Sequence, residues 1–458
     1  MFPLHLVLIP IIPLLLLVSH NVDIVSLQDV FLPFLILVSV AIFFQATISR
    51  FFKSKAKVAL VISWFYILFF SYGHIHGYLN QIMGSSILEL AVQNRYLVPI
   101  FGILFLLGSF CVLKIKKILD VLTKFVNVWA VVMVSILLFN IVSYVISGFL
   151  QQEKILGLEI EPKDIEISKS LPDIYYINFD AYANEHTLKE TFEYDNGPFL
   201  NSLKDRGFYV ASKSSSNYAE TLLSLGSSLN MDYLDQKILK GPRSNNHHDT
   251  DLMKSIENGK VILLLKSRGY KFVHLAAGWG VALKNRNADL EIKCDQINEV
   301  ISTLVASSLY FPFEKHFKLI SNDRRQQILC TFEEFGKTSS IPGPKFVFGH
   351  VLLPHFPFDF GPNGEDVDHE DTKEKYLGQL IFANNKIITM VDKILESNSS
   401  PPIIIIQSDH GPSTPFTRKP FNGDVQFKRD RMRNLNAYLL PGRDGEILYE
   451  TISPVNTF

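Results

Sequence analysis

Five apolar stretches in the first 150 residues, at about 3–19, 30–48, 58–78, 96–113 and 125–149, are the strongest constraint on how this chain folds. Each approaches the ~20 residues that a helix needs to cross the hydrocarbon core of a bilayer. The loop between the second and third stretches carries Arg50, Lys53, Lys55 and Lys57. The loop between the fourth and fifth carries Lys114, Lys116, Lys117 and Lys124. The two alternate loops are nearly free of basic residues, with Arg95 as the one exception. Positive charge is retained on the cytoplasmic side of a membrane. The two basic loops therefore lie in the cytoplasm with the N-terminus, and everything after Leu150 lies outside. The first stretch has neither a basic lead-in nor a small-residue cleavage site, which disfavours a signal peptide. Cleavage there would leave the remaining topology unchanged. At the outer end of the third stretch, "YGHIHGY" places His74 and His76, read as interface anchors like the tyrosines beside them. Contact with a lipid headgroup or a metal is the alternative. "ILELAVQN", 87–94, reads as a short amphipathic helix on the outer surface.

The 47% hydrophobic content averages over an apolar first third and an ordinary water-soluble remainder. A formal net charge of −1 gives no basic surplus, so nucleic acid is not an expected partner. Residues 151–172, charged and holding Pro162 and Pro172, read as a linker. The chain then divides into a membrane domain (1–150), this linker, and an outer domain (173–458). In the outer domain strand-like runs at 173–180, 208–212, 271–275, 344–355, 402–408 and 436–441 alternate with helical patterns at 197–207 and 375–397. This alternation predicts an α/β fold, a mostly parallel sheet flanked by helices. Cys294 and Cys330 are candidates for one disulfide. "NNHHD", 245–249, reads as a polar loop.

"PPIIIIQSDHGPS", 401–413, concentrates the chemistry. Four isoleucines suit a strand buried on both faces. Asp409 and His410 fall at its carboxyl end, where open α/β sheets bind ligands. "DIYYINFD" likewise ends in Asp180. Two Asp and a His make a ligand set for a divalent cation, Zn, Mn or Mg, with imidazole favouring the first two. "SNYAETLLSLGSSLN", 216–230, opens a helix that Ser216 or Asn217 would cap. Thr221 falls in its first turns, where free N–H groups and the dipole favour an anion. A hydroxyl becomes an effective nucleophile when a cation lowers its pKa. Ser224, Ser227 and Ser228 are rival nucleophiles. "LLPHFPF" holds His355 between prolines, placed to protonate a leaving oxygen. His350 reads as a packed residue behind the ligands.

These segments, in this order after five apolar spans, resemble the alkaline phosphatase superfamily. The membrane-anchored branch containing lipoteichoic acid synthase and the lipid A phosphoethanolamine transferases is the most similar. The resemblance covers nearly the whole chain. It implies Asp180, Asp409 and His410 as metal ligands, Thr221 as nucleophile and further ligand, and His355 as the His of the His-x-Pro loop. Ala181 stands where a second Asp ligand would be. The setting of Thr221 resembles neither the Gly-Thr-Ser of the synthase nor the Cys-Gly-Thr of the transferases, which leaves the substrate open. Related proteins continue beyond "ISPVNTF", so a last element is expected to follow.

The resemblance implies a metal-dependent transferase. It would move a phosphoryl-linked headgroup from a membrane lipid donor, through a covalent threonine ester, to an outer lipid or glycan acceptor. A phosphodiesterase or phosphatase with the same residues is the first alternative. A catalytically degenerate membrane scaffold is the second. Sulfatases of this superfamily use an aldehyde made from Cys or Ser, which Thr221 cannot yield.

Overall fold

The structure is a computed structural model and describes residues 3–22, 25, 27–83, 94–155, 171–234, 246–276, 284–294, 299–313, 323–368, 371–412, 425–442 and 447–458. The chain forms two compact units. One comprises Met1–Glu161 with Ile297–Asn322, the other Pro162–Gln296 with Asp323–Phe458.

Five apolar helices make up most of the first unit: α1 (His5–His20), α2 (Leu27–Ile48), α3 (Lys55–Met83), α4 (Asn94–Lys114) and α5 (Leu119–Ile155). Among the described residues, four are long and apolar enough to cross a membrane, α2 to α5. The first expected span is the exception. At 16 residues α1 covers about 24 Å, short of the ~30 Å core. It packs on α2, α3 and α5 and buries Leu6, Ile9 and Leu14. Surroundings this apolar favour interhelical hydrogen bonds. The His5 N–H donates to Asn127 Oδ1 (3.0 Å), and its ring Nδ1 lies 2.7 Å from Ser63 Oγ.

Residues 297–322 sort with these helices instead of with the outer domain to which the sequence reading gave them. The helix Glu299–Ala306 buries Val300 and Leu304, one turn apart, in the same core as Leu6, Ala59 and Val134. Its continuation pairs with the backbone of α3. The Gly73 N–H donates to the Ser307 carbonyl (2.9 Å), and the Leu309 N–H to the Phe69 carbonyl (2.7 Å). Glycine is required at 73 because a Cβ there would stand 2.6 Å from Ser307 Cα. Backbone cannot swing aside as a side-chain tip can. Gly73→Ala is therefore expected to loosen residues 299–313 from α3. Faster proteolysis within 299–313 of the full-length protein, with Gly77→Ala as an uncrowded control, checks this.

The second unit is built on a seven-stranded sheet: β1 (Ile174–Asp180), β2 (Tyr209–Val210), β3 (Lys271–Ala276), β4 (Leu290–Lys293), β5 (Lys345–Pro354), β6 (Ile403–Ser408) and β7 (Asn436–Leu439). The order is β2-β7-β6-β1-β5-β3-β4. The block β6-β1-β5-β3-β4 is parallel, and β7 and β2 add antiparallel pairs at one edge. The expected α/β architecture is thus the observed one. Every residue of β1 is buried, as is every residue of β6 after Ile403, which explains their unbroken apolar runs. Lys373–Ser397 forms the long helix expected before β6, capped by Thr372.

Strand β4 was not foreseen from sequence, because its "LEIK" is half polar and half exposed. Asn246 to Asp249, expected in a loop, begin the helix Asn246–Glu257. The segment 87–93, most of the linker (156–170) and Trp279 lie outside the described residues. Cys294 and Cys330 form a disulfide.

Candidate metal centre

Strands β1 and β6 are neighbours in register, Phe179 opposite Ser408, so both end at one edge of the sheet. That register brings Asp180 and Asp409 together, with His410 beside them. One ligand atom from each of the three lies within 4.8 Å of the others, and all three residues are buried. His410 Nε2 is 3.4 Å from Asp409 Oδ2 and 3.8 Å from Asp180 Oδ1.

Hydrogen bonding orients each group. Asp409 Oδ1 accepts the N–H groups of His410 (2.7 Å) and Ala181 (3.1 Å). Oδ2 is left with no hydrogen bond, and so is Asp180 Oδ1. His410 Nδ1–H donates to the Gly411 carbonyl (2.9 Å), which leaves Nε2 with its lone pair toward the carboxylates. A buried acceptor without a partner costs roughly 1–3 kcal/mol, more when charged. Two such oxygens beside a bare imidazole nitrogen fit a divalent cation, which needs lone pairs and offers no competing protons.

The electrostatics agree. Burial alone would raise the Asp409 carboxyl, but His410 and His350 outweigh it and hold that carboxyl well below the usual carboxylate range. Burial lowers the His410 imidazole, against the pull of Asp409, and so favours the neutral ring a metal requires. His350, on β5, is fully buried with Nε2 3.7 Å from Asp409 Oδ2. Burial lowers its pKa, but Asp409 and Asp180 prevail and the net shift is upward.

Thr221 is the first residue of helix α6 (Thr221–Asn230), and its Oγ1 lies 3.3 Å from His410 Nε2. The cap is Glu220, whose side chain does not cap the helix N–H groups, in place of the expected Ser216 or Asn217. Ser216 instead places Oγ 2.5 Å from the Asp409 carbonyl oxygen, and Ser224 Oγ donates to that same oxygen (2.7 Å). Ser227 and Ser228 donate to the Ser224 carbonyl (2.8 and 2.9 Å). The rival serines thus have other bonds, and Ser224 ties α6 to the loop after β6.

His355 follows Pro354, which pairs with Asp180, so its backbone stands at the same sheet edge. Its ring turns back to the Phe356 carbonyl, and no direct contact joins it to the three ligands. Arg324 grips this loop through the carbonyls of Leu352 (3.0 Å), His355 (3.2 Å) and Pro357 and the carboxylate of Asp359.

Three supports surround these residues; Arg324 and Arg431 were not singled out from sequence, whereas Gly411 belongs to the Asp-His-Gly run that was. Arg324 is one. Arg431 is another: its Nε donates to the Ala219 carbonyl (2.9 Å) and its Nη1 to the Gly411 carbonyl (3.0 Å), fastening the approach to Thr221 to the metal loop. Gly411 is the third. A Cβ there would lie 1.9 Å from the Asp430 carbonyl oxygen, so the third residue of Asp-His-Gly must lack a side chain. Gly411→Ala is expected to displace the loop and with it the carbonyl that orients His410. Weaker divalent-metal binding in a folded protein, read by calorimetry, checks this.

Comparison with known proteins gave the following. No family profile matches the chain, and no curated protein matches it in sequence. Solved structures do match. The C-terminal periplasmic domain of EptC from Escherichia coli, in complex with Zn, is 12% identical over 64% of this chain and 81% of its own, with a TM-score of 0.45. The lipoteichoic acid synthase LtaP from Listeria monocytogenes is 10% identical over 60% and 66%, with a TM-score of 0.40. A protein in the alkaline phosphatase superfamily from Vibrio parahaemolyticus is 12% identical over 66% and 69%, also with a TM-score of 0.40.

Proposed function

We propose that the protein is a membrane-anchored, metal-dependent phosphotransferase. In this reading it takes a phosphoryl-linked headgroup from a phospholipid onto Thr221 and passes it to an outer lipid or glycan. One observation carries the reading: Thr221 Oγ1, at a helix N-terminus, adjoins a buried Asp180–Asp409–His410 set whose facing oxygens have no hydrogen bond.

Asp180 Oδ1, Asp409 Oδ2 and His410 Nε2 would hold the cation, with Thr221 Oγ1 at its side. A bound Zn or Mn ion would lower the hydroxyl pKa and offset charge on the transferring group. Thr221 Oγ, its proton lost to water, would bond to phosphorus as the bond from phosphorus to the diacylglycerol oxygen breaks. The N-terminal amides of α6 are placed to receive the phosphoryl oxygens. His355, at the same edge, would give a proton to the leaving oxygen once its ring turns from the Phe356 carbonyl. An acceptor hydroxyl would then displace Thr221 and restore the enzyme. Arg324 and Arg431 position the His355 loop and the Thr221 helix.

The Cys294–Cys330 disulfide and the charge bias of the loops support an oxidising compartment for the second unit, outside the cell membrane. Peptide mass spectrometry of protein purified from its own membrane tests the mechanism. A phosphoryl-linked adduct on the Thr221 peptide is expected, and its mass names the headgroup. An adduct on Ser224 or Ser228 instead would overturn the assignment.

A further inference from the structure

A cavity of about 500 Å³ lies within the first unit, between α1, α3, α5 and the helix Glu299–Ala306. Its depth is apolar, lined by Ile9, Ile12, Tyr66 and Phe70. Polar groups gather at one end: His20 and Asn21, where α1 finishes, and Ser71 and His74 on α3. Charge bias in the loops assigns that end of both helices to the outer face. The wall is open sideways, since Leu16, Ile67 and Trp129 line it and remain 39–41% exposed on helices that face hydrocarbon. Thr303, Leu304 and Ser307 close the remaining side.

Water is a poor occupant of so apolar a space, which gives it few hydrogen-bond partners. The surrounding medium is lipid, and the polarity runs in the sense of a lipid molecule. We propose that this cavity is a phospholipid site of the outer leaflet, holding one acyl chain with the glycerol phosphate at the rim. His20 is prepared for it. Its Nδ1–H donates to the Leu16 carbonyl (2.9 Å), so Nε2 is the nitrogen left for a headgroup. Asn21 spends one amide N–H on the Leu17 carbonyl (2.8 Å) and keeps the other as a donor for the phosphate. Naming this lipid as the donor class rests on the transferase reading, whereas the site itself rests on the cavity and its orientation.

The test uses full-length protein in vesicles of phosphatidylethanolamine and phosphatidylglycerol, doped with a phosphatidylglycerol bearing a diazirine in mid-chain. Photolysis is expected to label peptides of α1 around Ile9–Leu16 and the peptide carrying Thr303–Ser307. Leu16→Trp fills the cavity from its half-exposed rim and is expected to abolish that label. Leu106→Trp, on a lipid-facing position of α4 away from the cavity, is expected to leave it intact. Label spread evenly over all the apolar helices, or undiminished in Leu16→Trp, overturns the site. Labelling needs no turnover, so Thr221→Ala is expected to keep it. A lost Thr221 adduct with the label intact counts against the transferase reading alone. A lost label with the adduct intact counts against the cavity alone.

Discussion

Thr221→Ala is expected to leave a folded, metal-binding protein in which headgroup transfer falls by at least about 10³-fold, because the covalent route disappears with the oxygen that carries it. Thr221 is half-buried and its Oγ1 has a 3.3 Å contact with His410 Nε2. Loss of that hydroxyl therefore removes little packing. Thermal unfolding should resemble wild type and calorimetry should still show metal binding, weakened by one oxygen ligand, while the adduct on the 221 peptide vanishes. Thr221→Ser is the companion variant. It retains a hydroxyl at the helix N-terminus and should recover part of the activity. Unchanged transfer in Thr221→Ala would move Ser224 and its neighbours forward, or return the chain to a binding role.

Asp409→Asn should cost far more stability with metal than without it. The amide can keep the Oδ1 bonds to the Ala181 and His410 N–H groups, so the local fold is preserved. Without metal, the wild-type site holds two buried carboxylates whose facing oxygens have no hydrogen bond. His410 and His350 nonetheless hold the Asp409 carboxyl well below its usual range, so its charge is net stabilising there and the chelated variant should melt slightly below chelated wild type. With Zn or Mn at about 100 times Kd, wild type gains about 2.7 kcal/mol by linkage. The variant, having lost a charged ligand, should bind at least about 10²-fold more weakly and gain almost nothing. The gap between the two melting curves therefore widens as metal is added. Parallel curves would mean that no cation binds here.

The parts of the fold legible in sequence were those whose burial is uniform. Strands β1 and β6 are apolar from end to end because both faces are covered, and each ends in an acid that the shared register brings to one edge. Strand β4, half exposed, left no such trace. Metal-ligand residue types are few, so Asp180, Asp409 and His410 could be singled out. Arg324 and Arg431 could not: each acts by donating to backbone carbonyls, and no local pattern distinguishes such an arginine from a surface one. Ser216 and Ser224 were visible as hydroxyls, but their shared target, the Asp409 carbonyl, is set by tertiary approach. Residues 297–322 were misassigned for a similar reason. Val300 and Leu304 show an apolar helix face, but sequence alone does not say which core it enters.

The disulfide gives that excursion a defined base. Cys294 and Cys330, both in the α/β unit, have Cα atoms 5.6 Å apart and bracket residues 297–322 in the sequence. Residues 297–322 are in that sense a cassette, and a polar bridge from Gln296 to Asp323 would replace them and keep Arg324 and the disulfide. A secreted form beginning near residue 171 would otherwise carry Val300 and Leu304 into water without their core, an invitation to aggregate. Excising the cassette offers a route to a soluble α/β unit in which the proposed metal site and Thr221 can be studied free of lipid.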